Sequence, residues 1–464
     1  MHKSKNTILM LASIGTFVEA LDIAIINLTI PAIQAQFAID YDTVQWLQTL
    51  YVLFFGGFLI IGGKLADKVG RRPMFLWGGA IFLLASLGAG VAPSFLSLAI
   101  FRAIQGFGAA ILMPASLAIV TNTFQEPQER SRAIGIFSSF AAIGSGSGLS
   151  LGGMISTYWS WHWVFLINVP ILAITLILAL SYLPKGQQEK QQGSNDFLSG
   201  ILLVLGLLFL TFGIHDLGNF NERPYLIGGC FTMTALLISL FVKRLLTSSH
   251  PLISPTLFQN RSLVISNLAF FMLGALFIGF LFLISLMLQQ DMGYSSASAG
   301  LMLVPFSILS ALIAKFAIPS LTKKTSPARL GVLGMSFMLV GSCTLLIAIY
   351  LDHPLFLVLC GAACISGIGM TICFTSLSVL GVKDVSIDQH GIASSLTSTT
   401  YFLGAGIGLS LLTLVSKFIP STLAVGPLSL AIVMLYSILG IFLLLYLSYA
   451  DKRSVAKRLQ TAQA

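Results

Sequence analysis

The sequence contains little charge for its length. Of its 464 residues only 9% are Asp, Glu, Lys or Arg, whereas 56% are hydrophobic, and the mean hydropathy is +0.93. A soluble domain could not bury this much apolar surface in a single core. The composition therefore excludes most soluble enzymes and nucleic-acid-binding proteins, and it predicts a protein that crosses a membrane many times.

Cysteine is scarce as well, and the sequence has no nucleotide-binding loop. Its five cysteines all lie in apolar runs, without the spacing of a metal site or a disulfide framework, so we interpret them as small packing residues. Because a P-loop motif is missing, we expect no ATP hydrolysis by this chain. We also expect no metal and no cofactor.

Apolar runs of roughly 20 residues, the length that crosses a bilayer as a helix, recur along the whole chain. Fourteen such segments are bounded by charge, Pro and Gly. The first contains Glu19 and Asp22 and no small-residue cleavage site, so we expect it to be retained as a span and not removed as a signal peptide. The predicted limits are 8–30, 45–63, 74–92, 96–120, 133–157, 162–183, 197–215, 224–241, 263–287, 298–321, 329–350, 355–381, 391–416 and 425–449.

The formal net charge is +9, and the distribution of the basic residues along the chain indicates the membrane topology. If both termini are cytoplasmic, 21 of the 25 Lys and Arg residues fall in cytoplasmic segments, and only Arg223 and Lys417 fall in outer loops. Cytoplasmic loops are enriched in basic residues, and an odd number of spans would scramble this pattern. We expect a multi-pass protein of a bacterial-type inner (plasma) membrane with cytoplasmic termini, lipid contacts and no nucleic-acid partner.

The second half of the sequence repeats the first. A shift of 260 residues pairs the Gly-rich stretch Ile143–Leu151 of segment five with Leu403–Leu411 of segment thirteen, and a similar shift relates segment four to segment twelve. Chance similarity between Gly-rich helices is the alternative. Since the shift equals eight segments, we predict an all-α membrane protein of two six-helix bundles with two inserted helices around a midplane site. The predicted domains are 1–183, 184–262 and 263–464.

Four charged residues lie well inside the predicted spans, and a buried ionisable group in a bilayer is costly enough to need a reason. At about 1.5 Å per residue, Asp22 lies roughly 12 Å and Arg102 roughly 9 Å from the outer ends of their helices, so the two share a similar depth. We hypothesise that Asp22 couples transport to protons and that Arg102 tunes its proton affinity. A static ion pair is the alternative. Glu19 is either a second proton site or the counter-charge for a cationic substrate, and Lys315 either reaches the membrane surface or faces the cavity.

A short loop between segments two and three combines charge with a tight turn. In Gly62–Pro73 the acid Asp67 precedes Gly70 and the pair Arg71 and Arg72. A generic cytoplasmic loop would need basic residues but neither the acid nor the glycine. We interpret the loop as a latch that holds neighbouring helices in one conformation and releases them in another.

These motifs together resemble those of the major facilitator superfamily. Gly63-x-Leu-Ala-Asp-x-x-Gly-Arg-Arg72 is similar to its loop signature, and Arg102-Ala-Ile-Gln-Gly-Phe-Gly108 is similar to its helix-four motif. The stretches Leu21–Pro31, Trp46–Tyr51 and Trp161–Pro170 resemble the fourteen-span drug:proton antiporter branch of that superfamily.

The resemblance implies roles for particular residues. Asp22 would be the family's helix-one acid and Arg102 its helix-four base. The implied gating residues are Gly63, Asp67, Gly70, Arg71 and Arg72, with Arg132 in a comparable charged cluster after helix four. The candidates for lining the cavity are Asn27 and Gln105, which lie within these motifs, and Lys315, the charged residue inside segment ten.

The helix-five stretch resembles the motif that the family links to antiport. Leu149 departs from that motif, because the family often has Pro there, and its absence removes a kink point. The surrounding glycines still permit close packing. The glycines of the motif are Gly144, Gly148, Gly152 and Gly153.

The leading functional hypothesis is a proton-coupled exporter of amphipathic, cationic compounds that works by alternating access as a monomer, with no cofactor and driven by the proton gradient. Because the second bundle has no acid deep in the membrane, any proton chemistry would depend on helix one. The alternatives are export of one endogenous product, such as a siderophore, antibiotic or lipid, and proton-coupled uptake. A membrane-embedded enzyme is disfavoured, because the deep polar residues include no nucleophile–base pair.

Overall fold

The computed structural model describes residues 2–184, 196–248, 251–386, 389–418 and 425–463. Within these residues it contains helices and no strands, and fourteen helices are long and apolar enough to cross a membrane, which confirms the predicted fold class. Parts of the predicted connection 184–262, including Lys185 and Lys190, lie outside the described residues. The helices α1 to α14 are Lys5–Phe37, Trp46–Val69, Arg71–Gly90, Phe95–Thr123, Gln128–Tyr158, His162–Tyr182, Phe197–Asn219, Pro224–Thr247, Arg261–Asp291, Ser296–Lys324, Pro327–Tyr350, Leu355–Val382, Ile392–Val415 and Pro427–Ala450.

Most of these helices extend beyond their predicted limits, because backbone hydrogen bonding continues where hydropathy has already fallen. They end where side chains or turns replace the missing backbone partners. Ser94 caps α4 and forms a reciprocal box with Ser97, and Asn260 caps α9. Gly70 adopts φ +110° between α2 and α3, a conformation that favours glycine.

The first six helices and the last six pack in the same way. In α5 a Cβ atom on Gly144 would lie 2.4 Å from the carbonyl oxygen of Phe17 on α1. In α13 a Cβ atom on Gly404 would lie 2.0 Å from the carbonyl oxygen of Phe271 on α9. The aligned glycines therefore produce the same close helix crossing in each bundle, as small residues do in membrane proteins.

The middle glycine of each aligned stretch faces the opposite bundle. A Cβ atom on Gly146 of α5 would lie 2.7 Å from Cβ of Ser307 on α10, and one on Gly406 of α13 would lie 2.8 Å from Leu53 on α2. The two bundles therefore meet along two equivalent helix pairs, α5 with α10 and α2 with α13.

We call the end of the helical array that holds both termini the near end, and the opposite end the far end. Polar contacts join the bundles at the far end. Ser285 on α9 donates to the carbonyl oxygen of Asn27 at 2.5 Å, and the backbone N–H of Ala297 donates to Thr157 Oγ1 at 3.0 Å. Three glutamines make two further contacts. Gln290 Nε2 donates to Gln34 Oε1 at 3.2 Å, and Thr413 Oγ1 donates to Gln45 Oε1 at 2.8 Å.

Towards the near end α5 and α10 diverge. At Gly135 of α5 a Cβ atom would meet nothing within 4 Å, and Ile136 beside it is exposed. On α10 Ala311 and Ala314, which lie towards the near end on the same helix face as Ser296 and Ser307, are exposed as well. The structure is thus closed between these helices at the far end and open at the near end.

The inserted helices lie against the junction of the two bundles. A Cβ atom on Gly57 of α2 would lie 2.3 Å from Val204 of α7, and one on Gly200 of α7 would lie 1.8 Å from Ile61 of α2. Leu207 of α7 also packs with Leu403 of α13. Helix α7 therefore contacts both bundles, while α8 packs on α7 and is largely exposed.

An ion pair between a buried acid and a partly exposed arginine fixes the near end of the inserted hairpin. Asp196 accepts hydrogen bonds from Ser199 and from Arg244, whose Nη2 lies 2.7 Å from Oδ1. Burial raises the pKa of Asp196, but the bonds from Ser199 and Arg244 outweigh it, so the pKa lies below its usual value. Lys64 of α2 donates to the carbonyl oxygen of Pro251 at 2.8 Å, which ties this end to the first bundle.

Candidate functional site

Asp22 and Arg102 form an ion pair inside the first bundle. Arg102 Nη1 donates to Asp22 Oδ2, and both side chains are 0% exposed. The two residues lie at a similar depth, as predicted, and they are in direct contact. A buried pair of this kind is stable only if further hydrogen bonds satisfy its remaining atoms.

A polar network from α4 itself and from α3 and α6 supplies most of those hydrogen bonds, whereas Arg102 Nη2 has no partner within the described residues. Gln105 of α4 donates to Asp22 Oδ1 at 3.3 Å and to Ser86 Oγ of α3 at 2.8 Å, while its own oxygen accepts from Arg102 at 3.1 Å. Asn168 of α6 donates to Asp22 Oδ1 at 3.0 Å. Asp22 is thus held as a carboxylate acceptor by groups from α4 and α6, with α3 supporting the glutamine.

Arg102 is held by aromatic rings and a backbone carbonyl as well. Its Nε donates to the carbonyl oxygen of Leu47 on α2 at 3.1 Å. Its Cζ lies 4.3 Å from the ring centre of Tyr51 and 5.8 Å from that of Phe165. Cations bind favourably over such ring faces, so the guanidinium remains in place if Asp22 changes its protonation state.

Glu19 lies one helical turn from this pair but is not part of its network. Within the described chain its carboxylate has no hydrogen-bond partner, and the residue is 7% exposed. It interacts electrostatically with Asp22 on the same helix and with Tyr401 on α13. Glu19 is therefore a carboxylate that faces the second bundle without a fixed counter-ion.

Aromatic rings from both bundles meet at Tyr401, the α13 residue with which Glu19 interacts electrostatically. The ring centres of Phe55 on α2 and Phe402 on α13 are 4.4 Å apart, and Tyr401 stands edge-on to Phe402 at 5.0 Å. Phe270 of α9 and Phe374 of α12 lie 6.4 and 6.1 Å from Tyr401. We call these five rings the aromatic cluster. With Glu19 it offers the two features that bind an amphipathic cation, a negative charge and ring faces.

The three candidate cavity residues occupy different places. Gln105 belongs to the Asp22 network. The side-chain amide nitrogen of Asn27 bonds to its own helix, at the carbonyl oxygens of Ile23 and Ala24, and its side-chain oxygen is buried without a partner. Lys315 is exposed on α10, nine residues before its last residue Lys324, and its Nζ lies 5.3 Å from the ring centre of Phe316. Both predicted roles of the lysine, at the membrane surface or in the cavity, agree with this exposure.

The predicted gating loop forms the turn between α2 and α3. Gly70 makes the turn, and Arg72 Nη2 donates to the carbonyl oxygen of Leu180 at the end of α6, 2.6 Å away. Asp67 is exposed in the last turn of α2, where it interacts electrostatically with Arg71. Among the described residues Asp67 makes no ion pair within 4 Å, so the loop is not latched in this conformation.

The neighbouring elements of the predicted gate are in ordinary contact, but within the described residues they make no ion pair with Asp67. A Cβ atom on Gly63 would meet only Pro114 at 3.8 Å and Ser395 at 4.0 Å, which is ordinary contact. Arg132 is exposed, and its neighbour Glu129 pairs with Lys5 of α1 at 3.2 Å. The structure therefore gathers the gating residues at the near end without joining Asp67 to Arg132.

The glycines of the helix-five motif have two distinct contacts. Gly144, Gly148 and Gly152 are four residues apart and all face α1, where a Cβ atom on Gly152 would lie 2.3 Å from the carbonyl oxygen of Ile25. Gly153 faces α10 instead, and its Cβ atom would lie 2.0 Å from the carbonyl oxygen of Ser296. The motif thus packs α5 against the helix that carries Asp22 and against the opposite bundle.

Sequence reasoning did not select Asn168, Ser86 or Tyr51 as site residues. Asn168 and Tyr51 lie within quoted motifs, and all three are polar residues inside predicted spans. The sequence signal for these three residues was a polar side chain deep inside a membrane span. Which of the many polar residues face Asp22 depends on helix rotation, which the spacing of one helix cannot give.

Comparison with known proteins gives the family. Residues 12–409 match the family model described as Major Facilitator Superfamily. The chain is 31% identical to "Multidrug resistance protein Stp" of Mycobacterium tuberculosis over 89% of its length and 76% of that protein. It is 33% identical to "Cephamycin export protein CmcT" of Amycolatopsis lactamdurans, over 88% and 84%. A crystal structure of a D-xylose-proton symporter shares its fold, with a TM-score of 0.67 and 15% identity over 95% of this chain and 96% of that one. The chain belongs to the major facilitator superfamily of membrane transporters.

Proposed function

We propose that this protein is a proton-coupled efflux transporter that exports amphipathic cations by alternating access. The observation that carries the proposal is a fully buried Asp22–Arg102 pair beside a second acid, Glu19, that has no fixed counter-ion and faces the opposite bundle. One acid is thereby equipped to hold a proton, and the other to meet a charged substrate.

The orientation follows from the distribution of basic residues. Loops at the near end carry the Lys and Arg excess, so the near end is the cytoplasmic side in this proposal and both termini are cytoplasmic. The observed conformation would then admit a compound from the cytoplasm. Export requires the opposite arrangement, with the far-end contacts broken and the near end closed by the Asp67 loop.

Proton exchange would occur at Asp22. In this conformation the carboxylate accepts hydrogen bonds from Arg102, Gln105 and Asn168, which offset part of the cost of burying its charged form. If helix movement separates these donors or admits water from the far side, a hydronium ion in that water gives its proton to the carboxylate. One O–H bond of the hydronium breaks, one forms on Asp22, and neutral water is left. Return to the observed geometry restores the donors and releases the proton towards the cytoplasm. The proton gradient would thus drive the cycle without a cofactor.

Substrate recognition would depend on Glu19 and the aromatic cluster. The rings come from α2, α9, α12 and α13, so a bound compound would contact both bundles. Its contacts would therefore change when the bundles move relative to each other. A cation over ring faces, with a carboxylate nearby, is favourable when water is displaced. Relatives named for multidrug resistance and multidrug efflux support the export of drugs.

A second candidate is export of one endogenous product. A relative of 33% identity is named as a cephamycin export protein, which favours this alternative over uptake. The two exporters differ in breadth. A broad transporter would protect cells against unrelated cationic dyes, whereas a dedicated one would cause a single metabolite to accumulate inside cells when it is deleted.

The proposal is tested with purified protein in proteoliposomes that contain a pH-sensitive dye. A panel of cationic, neutral and anionic amphiphiles is added in turn, and proton movement is followed. We expect protons to move in the direction opposite to the cations. A panel in which only neutral or anionic compounds move protons would contradict the cationic substrate class, and proton movement in the same direction as substrate would contradict efflux. Size-exclusion chromatography with light scattering checks the expected monomer.

A further inference from the structure

Three polar side chains follow one another at three-residue intervals along α2 and the residue that precedes it. They are Gln45, Gln48 and Tyr51, each at most 1% exposed. Residues three apart on a helix are neighbours, so these side chains form a continuous stripe. It starts at the far end and ends at Arg102. We call it the α2 stripe.

The inner end of the stripe touches the proton site. The Tyr51 ring lies against the guanidinium of Arg102, with 4.3 Å between the ring centre and Cζ. The hydroxyl of Tyr51 has no hydrogen-bond partner within the described chain, and the residue interacts electrostatically with Asp22 and Glu19. Tyr51 therefore carries a hydroxyl without a partner in the described chain, close enough to both acids to interact with them electrostatically.

The middle of the stripe is a buried amide with no protein partner. Gln48 is 1% exposed, and neither its Nε2 nor its Oε1 has a hydrogen-bond partner in the described part of the chain. The hydroxyls of Thr49 on α2 and Ser410 on α13 are buried and unpartnered too. Polar groups clustered in this way are satisfied by water inside proteins, where one molecule makes about three hydrogen bonds.

The outer end of the stripe is sealed. Gln45 Nε2 lies 2.7 Å from Nδ1 of His215 on the inserted helix α7, and its Oε1 accepts from Thr413 of α13 at 2.8 Å. The ring of Trp46 stands edge-on to that of His215 at 5.3 Å. Gln45 thus joins the first bundle, the second bundle and the inserted hairpin at one point.

We propose that the α2 stripe is the water-lined route by which protons from the far side reach Asp22, and that Gln45 closes it in the observed conformation. This inference rests on the proposed proton coupling. When α13 moves away from α2, Gln45 loses Thr413 and water enters along Gln48 and Tyr51. A proton is then passed by exchange of O–H bonds between water molecules and ends on Asp22, while Arg102 stays charged.

The proposal also gives the inserted helices a role. His215 holds the amide of Gln45 from the side opposite to Thr413, so α7 fixes the side chain that closes the route. The stripe lies on α2 and moves with the first bundle, whereas Thr413 moves with the second. Opening the far end therefore exposes the route to outside water in the same movement that closes the cytoplasmic side, which prevents a continuous proton leak.

The test uses the full-length protein in proteoliposomes and compares three variants. Gln48→Leu and Tyr51→Phe remove polar atoms of the stripe, and Tyr51→Phe retains the ring over Arg102. Thr399→Val is the matched control, because it removes one buried, unpartnered hydroxyl of α13 outside the stripe. Three quantities are measured with one cationic dye: its affinity, its exchange across the membrane at equal pH, and its transport driven by a pH gradient.

We expect Gln48→Leu and Tyr51→Phe to slow gradient-driven transport by about 100-fold, the lower end of what positioned proton transfer contributes. Affinity and exchange at equal pH should match the wild type, and Thr399→Val should behave as the wild type throughout. If Gln48→Leu does not fold, Tyr51→Phe decides alone.

Two outcomes would overturn the route. If Asp22→Asn abolishes gradient-driven transport but both stripe variants transport at the wild-type rate, the proposed route is rejected. The proposed function is then still supported. Equal losses in exchange and in gradient-driven transport would show that the stripe has a packing role. A wild-type protein in which dye movement is independent of the pH gradient would reject the proposed function itself.

Discussion

One carboxylate oxygen of Asp22, Oδ1, accepts hydrogen bonds from Asn168 at 3.0 Å and from Gln105 at 3.3 Å, while Oδ2 faces Arg102. Asn168 comes from α6 and Gln105 from α4. Any relative movement of these helices and α1 must therefore change the number of donors on the carboxylate. The protonation state of Asp22 is in this way linked to helix positions inside a single bundle.

The first prediction concerns the effect of the ion pair on the stability of the protein. Arg102→Met leaves a buried, unpaired carboxylate, and we expect it to lower the free energy of unfolding by about 3–5 kcal/mol. Asp22→Asn combined with Arg102→Met removes both charges and should recover much of that loss. Thermal melting in detergent measures the stability of each variant. A double variant no more stable than Arg102→Met alone would contradict a direct pairing.

The second prediction is that Glu19 contributes to the affinity for charged substrates but not to that for uncharged ones. Glu19→Gln keeps the size of the side chain and removes its charge, so we expect affinity for a cationic dye to fall about tenfold, since a partly desolvated charge pair is worth on the order of 1–2 kcal/mol. Affinity for a neutral amphiphile of similar size should stay unchanged. Equilibrium binding by fluorescence gives both values. Equal losses for both ligands would show that Glu19 supports packing and does not recognise charge.

The far-end contact between α5 and α10 controls which side is open. Gly153→Leu introduces side-chain atoms where a Cβ atom would already lie 2.0 Å from a backbone oxygen, so it should favour the far-end-open conformation. Gly135→Leu is the matched control on the same helix, where a Cβ atom would meet nothing within 4 Å.

The populations can be read from a single cysteine introduced at Gln34 in a cysteine-free background. Modification by a membrane-impermeant thiol reagent from the far side should be faster in Gly153→Leu than in the wild type and unchanged in Gly135→Leu. Equal modification in all three proteins would show that this glycine does not control closure.

Much of the fold was predictable because its signals are local or periodic. Each of the fourteen helices produces its own apolar run, and the aligned glycines at Ile143–Leu151 and Leu403–Leu411 repeat because each helix crosses its neighbour at close range. The depth of Asp22 and Arg102 followed from counting residues along two helices. Their contact in the structure agrees with that count.

The remaining parts of the site depend on helix rotation and on contacts between distant segments. Asn168 reaches Asp22 only because α6 turns that face inward, and one sequence does not contain this rotation. The contact of Gln45 with His215 joins residues 170 positions apart, across a hairpin whose placement was not predicted. Lys315 illustrates the same limit, because its two predicted roles depend on the direction in which that face of α10 points, which one sequence does not contain.

The central claim is that Asp22 carries the coupled proton. Its most direct test compares the wild type with Asp22→Asn in proteoliposomes, using Asp40→Asn, an exposed acid between α1 and α2, as the control. We predict that Asp22→Asn still exchanges a cationic dye at equal pH but loses gradient-driven transport and dye-induced proton movement, on the order of 100-fold. Proton movement of wild-type size in Asp22→Asn would contradict the account.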